Sequence, residues 1–135
     1  MAIFLNNGVV VKVATVDLSA YVKSVTLNRS FDEVEVTAMS ATSHVFAKGL
    51  EASSIDIEFL NDLVAAKTIA TLQAAWGTTV TVTLQQSSAA TSATNPLYST
   101  TVLMNNTTDI NGAPGDYSTQ TLKWTCNSPV VITTA

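Results

Sequence analysis

The sequence predicts a mainly β protein with a single α-helix. Apolar and polar residues alternate at a period of two in several short runs, which is the pattern of half-buried strands. Only one stretch, between Asn61 and Gly77, changes to a helical period. At 135 residues the chain has room for one domain, so we expect these elements to share one core.

Residues 1–13 predict a hairpin, or an N-terminal arm that ends in a strand. β-Prone runs lie on both sides of Asn7-Gly8, and Asn-Gly between such runs is the strongest short-range signal of a tight hairpin. Asp17 is then suited to cap a single helical or 3₁₀ turn.

Two strands are predicted next, at residues 22–28 and around Val34 and Val36. Because they are close in sequence, we expect them to pair. Regular alternation then disappears over residues 38–50, which predicts a long loop. Loops of that length in compact domains are usually functional or disordered.

The predicted loop 38–50 is unusually apolar for a loop surrounded by water. Two interpretations stay open, a contact arm for another subunit and a loop folded over its own core. The candidate residues for contact with another subunit are Met39, His44, Val45, Phe46 and Leu50.

A strand with one acidic face leads into the helix. Ile55, Ile57 and Phe59 alternate with Asp56 and Glu58, which predicts that the two acids face away from the core. Glu33 and Glu35 alternate with valines in the same way. Because carboxylates repel phosphate, such faces are suited to line a channel through which DNA passes. The candidate lumen-facing residues are Glu33, Glu35, Asp56 and Glu58.

The helix is predicted over about 61–76. Asn61 and Asp62 are good N-cap residues, and Gly77 supplies a C-terminal stop. Polar residues such as Thr68 and Thr71 fall mostly off the apolar face. The predicted packing face consists of Ala65, Ile69, Leu72 and Trp76.

The remaining residues predict more strands, at 78–84, 98–104 and 117–126. The tail 129–135 is either a last strand or a segment that frames a neighbour. Patterned positions predict that Trp124 is buried, like Trp76, and that Cys126 is a small buried hydrophobic residue.

The charge of the chain argues against several classes of function. Six basic and ten acidic residues give a net charge of −4, and the basic residues are scattered, which argues against gripping nucleic acid. Charged residues make up only 12% of the chain. This low fraction fits a Thr-rich β surface or, as we favour, a surface largely covered by other subunits.

No catalytic, metal or cofactor motif is recognisable in the sequence. One histidine and one cysteine are too few for a zinc site, and no nucleophile stands at a motif spacing from His44. We therefore expect no enzyme activity and no cofactor. The sequence carries neither a signal peptide pattern nor an apolar run long enough to cross a membrane.

Six short segments, taken in order, carry a resemblance that covers nearly the whole chain. They are DLSAYV from Asp17, SVTL from Ser24, VEVTAM from Val34, GLE from Gly49, SIDIEF from Ser54 and ATNPLY from Ala93. Their order and spacing resemble the major tail tube proteins of long-tailed, non-contractile (siphovirus-type) bacteriophages.

The resemblance implies a β-sandwich or barrel of antiparallel strands with one flanking helix, formed as a single tail tube domain over 1–135. It also implies hexameric rings that stack into a tube, bridged by loop 38–50, the arm 1–13 and the tail 129–135. Expected partners are copies of itself, the tape measure, tail terminator and tail tip proteins, and passing DNA bound without sequence specificity. The expected location is the virion tail, assembled in the host bacterial cytoplasm.

One alternative comes from a different class of protein. A monomeric or trimeric β-sandwich, such as a virion decoration protein or a carbohydrate-binding module, would have the same strand pattern. Clustered exposed aromatic residues would favour that alternative.

Overall fold

A computed structural model describes residues 8–63 and 67–134, and within these ranges the chain forms ten strands, one 3₁₀ turn and one α-helix. The prediction of a mainly β fold with one helix is confirmed. The strands are β1 (Val10–Val13), β2 (Val16–Asp17), β3 (Val22–Asn28), β4 (Phe31–Glu35), β5 (Phe46–Glu51), β6 (Ser54–Leu60), β7 (Thr79–Gln85), β8 (Leu97–Leu103), β9 (Thr119–Thr125) and β10 (Val131–Thr133). The helix α1 is Thr68–Ala75 and the 3₁₀ turn is Ser19–Tyr21.

Two antiparallel sheets enclose the core as a sandwich. One sheet has the strand order β10-β8-β7-β1-β2 and the other the order β3-β6-β9. Side chains that alternate along the strands fill the space between them, because one face of each strand points inward. The largest fully buried side chains include Phe59 and Ile57 of β6 and Trp124 of β9, so the predicted burial of Trp124 is confirmed.

The sandwich is joined at one side and open at the other. Val102 of β8 bridges Cys126, just after β9, which connects the two sheets at one corner. On the opposite side, the described residues of β1 and β3 do not pair. The sheets therefore do not close into a barrel, the other architecture that the resemblance allowed.

The predicted pairing of strand 22–28 with the strand around Val34 is wrong. β3 pairs with β6 in the register Val25↔Ile57, whereas β4 pairs with β5 as a separate two-stranded hairpin. The predicted loop 38–50 is also too long, because its second half is strand β5. Both faces of β5 are exposed, and a strand without a buried face shows no clear alternation.

The helix is shorter than the predicted 61–76, and Asn61 is not its cap. Lys67 holds the N-cap position, whereas the side-chain amide of Asn61 donates a hydrogen bond to Ser118 Oγ at 2.8 Å. Ile69 and Leu72 are buried as predicted, and Ala65 lies outside the described residues.

Trp76 does not belong to the packing face. The helix ends at Ala75, and Trp76 has the backbone angles φ −52° and ψ 128°, so its side chain leaves the buried face and is 56% exposed. Thr68 and Thr71 are buried instead, contrary to the prediction. Gly77 then turns the chain with φ +74°, a conformation that favours glycine and ends the helix as predicted.

Both ends of the described chain belong to the larger sheet. β10 pairs with β8, which confirms the last strand predicted in the tail 129–135. The predicted N-terminal hairpin turn lies outside the described residues, but β1 confirms the strand that follows it. In the described part of the chain, no helix is long and apolar enough to cross a membrane.

Candidate functional site

The hairpin formed by β4 and β5 differs from the rest of the molecule in its exposure. Every residue of β4 is exposed, and so are all residues of β5 except Gly49. The two strands contact each other closely but pack only marginally against other described elements. A two-stranded hairpin is marginally stable in water by itself, so this element is suited to gain stability from a partner.

The hairpin has two different faces, set by its register. Val34 lies opposite Ala47, and Val36 donates a backbone hydrogen bond to Val45 at 2.8 Å, which places small apolar side chains on one face. The other face pairs Glu33 with Lys48 and Glu35 with Phe46. We call the first the valine face.

Apolar side chains are exposed along the hairpin and at its tip. Phe46 is 54% exposed, Leu50 81%, and Met39 in the connecting loop is fully exposed. Sequence analysis identified these three residues but missed Phe31, Val34 and Val36. Val34 and Val36 were assigned to a strand, and only the sheet order shows that this strand has no core to face.

Specific contacts hold the hairpin tip in shape. His44 Nδ1 lies 2.7 Å from Glu35 Oε1, and Thr37 Oγ1 donates to the same oxygen at 3.0 Å. The Val45 amide donates to Thr37 Oγ1 at 2.9 Å. His44 therefore positions the tip, together with Glu35, a candidate lumen residue.

Gly49 is required by a close approach of the two hairpin strands. A Cβ added at Gly49 would lie 2.7 Å from the Asp32 carbonyl oxygen, where the register shifts between Phe31 and Glu33. Next to this irregularity, Lys48 Nζ lies 5.5 Å from the centre of the Phe31 ring.

The four acidic candidates lie in two separate places. Glu33 and Glu35 are on the hairpin, whereas Asp56 and Glu58 are on β6, on the outer face of the three-stranded sheet. Two lysines from neighbouring strands share that outer face. Lys23 Nζ lies 3.5 Å from Glu58 Oε1, and Lys123 is the register partner of Asp56. This face is therefore mixed in charge rather than purely acidic.

Trp76 lies at a shallow pocket on another part of the surface. The pocket is lined by Gln73, Trp76, Thr107 and Asp109, and Thr107 Oγ1 donates to Asp109 Oδ1 at 3.0 Å. An exposed indole beside amide, hydroxyl and carboxylate groups can bind a ligand that is both apolar and rich in hydroxyls.

Histidine and cysteine are sparse among the described residues, with one of each. The described residues contain no group of three or more His, Cys, Asp or Glu side chains that could hold a metal ion. Cys126 is half-buried rather than fully buried, and burial raises the pKa of its thiol, which lowers its reactivity at neutral pH. Comparison with known proteins found no family model and no curated protein that matches the chain.

Proposed function

We propose that this chain is a structural subunit that polymerises into a bacteriophage tail tube, the conduit for DNA. The observation that carries the proposal is the β4–β5 hairpin, whose apolar side chains are exposed on both faces. The size and stacking of the rings follow from the sequence resemblance, which implies hexamers.

Burial of the hairpin is the driving force for assembly in this proposal. Removing apolar surface from water contributes roughly 25 cal/mol per Å². The hairpin exposes Phe31, Val34, Val36 and Phe46 in one element, each by 50% or more. Exposed apolar side chains grouped in one element commonly mark a protein interaction site. A contact between the hairpin and a different surface of the next copy is heterologous, and such a contact closes a ring when its rotation permits.

The outer face of the three-stranded sheet is our proposed lumen wall. Asp56 and Glu58 lie there among Ser and Thr side chains, with Lys23 and Lys123 beside them. Paired charges and neutral hydroxyls would hold passing phosphates weakly, so DNA would move along the wall without sequence-specific binding. Glu33 and Glu35 belong to the contact hairpin in this proposal.

Negative-stain microscopy and sedimentation over a range of concentrations test assembly directly. We expect rings or tubes from the wild-type protein and small particles from Phe46→Asp, because a buried unpaired carboxylate is costly. The matched control is Ile110→Asp, in an exposed loop outside the hairpin, which should assemble normally. Uniformly small wild-type particles at high concentration would count against the proposal.

A second experiment addresses the lumen. Asp56→Lys combined with Glu58→Lys makes the outer sheet face basic, which should leave assembly intact and slow DNA passage in infected cells. Unchanged infectivity with normal tubes would remove both residues from the lumen.

Carbohydrate binding by a monomer or small oligomer is the second candidate function, and the exposure of Trp76 favours it. The Trp76 indole provides an apolar plane, and Gln73, Thr107 and Asp109 provide hydrogen-bonding groups beside it. Calorimetric titration with maltotriose and chitotriose tests this function. Binding that is lost in Trp76→Ala and kept in Tyr117→Ala would support it, and no heat with either sugar would argue against it.

A further inference from the structure

A cleft lies at the open side of the sandwich, between the ends of strands from both sheets. Its volume is about 330 Å³, and the residues that line it include Val25 and Leu27 of β3, Leu84 of β7, Tyr98 of β8 and Arg29. Pockets of this size are at the lower end of those that hold ligands, and they suit a few side chains.

Arg29 gives the cleft a positive charge that no acid in the described part of the chain pairs with. Within residues 8–63 and 67–134, the ion pairs are Lys23 with Glu58 and His44 with Glu35, and Arg29 has no hydrogen-bond or ion-pair partner. A guanidinium stays protonated at any physiological pH and prefers carboxylates. The cleft is therefore suited to an occupant that is both apolar and acidic.

The β4–β5 hairpin has this chemistry. Its valine face is apolar, and the carboxylates of Asp32 and Glu33 form no ion pair among the described residues, although Glu33 lies opposite Lys48 on the other face. Within one chain neither carboxylate pairs with Arg29, although both follow it closely in sequence. Opposite charges on two surfaces of the same molecule favour contact between copies, because complementary potentials align the partners and steer association.

The geometry points to the Arg29 cleft as the receptor for the hairpin of a second copy of this chain. This inference rests on the proposed function and deepens it, since it identifies the surface that the hairpin contacts. Because hairpin and cleft are different surfaces, each copy offers one of each, and contacts continue from copy to copy.

Charge reversal in two separate chains tests the contact. Arg29→Glu damages the cleft, and Asp32→Lys with Glu33→Lys damages the hairpin, so each variant alone should need about a tenfold higher concentration to assemble. Mixed in equal amounts, the variants restore an opposite-charge pair at every contact, and assembly should return to near the wild-type concentration. Rescue by mixing distinguishes a contact between copies from one within a chain.

Controls separate this inference from the proposed function. Lys12→Glu makes the same charge change on an outward-facing position of β1 and should assemble normally. Arg29→Gln, the milder variant, should show a smaller loss in the same direction. Normal assembly of Arg29→Glu, or folded variants that do not rescue each other, overturns this inference alone. A wild-type protein that never assembles overturns it together with the proposed function.

Discussion

Strands β6 and β4 have similar sequences and opposite surroundings. Each alternates apolar residues with acids over part of its length, and each carries or faces a phenylalanine. Phe59 of β6 is fully buried, whereas Phe46, opposite β4, is 54% exposed. β6 lies between β3 and β9 over a shared core, while β4 pairs with β5 alone among the described strands. Similar alternation therefore gives a core strand in the sandwich and an exposed apolar surface in the hairpin.

The largest expected effect comes from the same substitution, Phe to Ala, at a buried and at an exposed position. Comparing the two separates the stability of the fold from its assembly. Phe59→Ala should lower the free energy of unfolding by about 3–5 kcal/mol, because it leaves a cavity in the core. Phe46→Ala should change it by less than about 0.5 kcal/mol but weaken assembly. Urea unfolding at low protein concentration measures the first quantity, and sedimentation the second. Equal losses of stability would show that the hairpin belongs to the core.

A smaller effect is expected at Gly49, where the two strands of the hairpin approach each other closely. Gly49→Ala brings a methyl group within 2.7 Å of the Asp32 carbonyl oxygen, which should weaken the hairpin by about 1–3 kcal/mol. Hydrogen exchange of the hairpin amides should accelerate while that of β6 stays unchanged. Gly112→Ala is the matched control, because its added Cβ meets nothing within 4 Å. Faster exchange in both regions would contradict independent behaviour of the hairpin.

Changing one turn of the sandwich should increase the stability of the protein. Ala14 and Thr15 form the two-residue turn between β1 and β2 with φ values of 49° and 71°, a conformation that suits Asn-Gly. Ala14→Asn with Thr15→Gly should raise the free energy of unfolding by about 1 kcal/mol and leave assembly unchanged. The same pair of substitutions at Ala93 and Thr94, where φ is not positive, should give no gain.

The smallest effect is a pH dependence confined to the sandwich. The Ser19 hydroxyl and amide donate to Asp17 Oδ1 at 2.5 and 2.9 Å and lower the pKa of Asp17 below its usual 3.8. The stabilisation is therefore complete above about pH 3.8 and is lost as pH falls through the lower folded value. Asp17→Asn should remove this part of the acid sensitivity. Unfolding midpoints of the wild type and the variant between pH 2 and 6 measure this difference. Identical pH dependence of the two proteins would contradict the prediction.

Strands with one buried face were predictable from sequence because burial imposes alternation. Val82 and Leu84 of β7 are buried and Thr81 is exposed, as their period of two indicates. β5 was not predictable in this way, since both of its faces are exposed. The pairing of β3 with β6 depends on contacts between distant residues, which local patterns do not encode.

The candidate site was only partly predictable for the same reason. Phe46, Met39 and Leu50 were identified because apolar residues are unusual in a loop. The lysines that balance Asp56 and Glu58 were missed because Lys23 and Lys123 come from other strands and meet β6 only in the folded sheet. The exposure of Trp76 was missed because it depends on the residue at which the helix ends.

The strand order also sets the sequence in which the protein can fold. The hairpin joins residues near one another in the chain, such as Glu35 and Phe46, and hairpins of this kind close within about 1–10 μs. β6 completes its sheet only when β9 is available, since Ile55 pairs with Trp124, and such long-range pairing is slow. During synthesis the hairpin can therefore form before its own sandwich is complete.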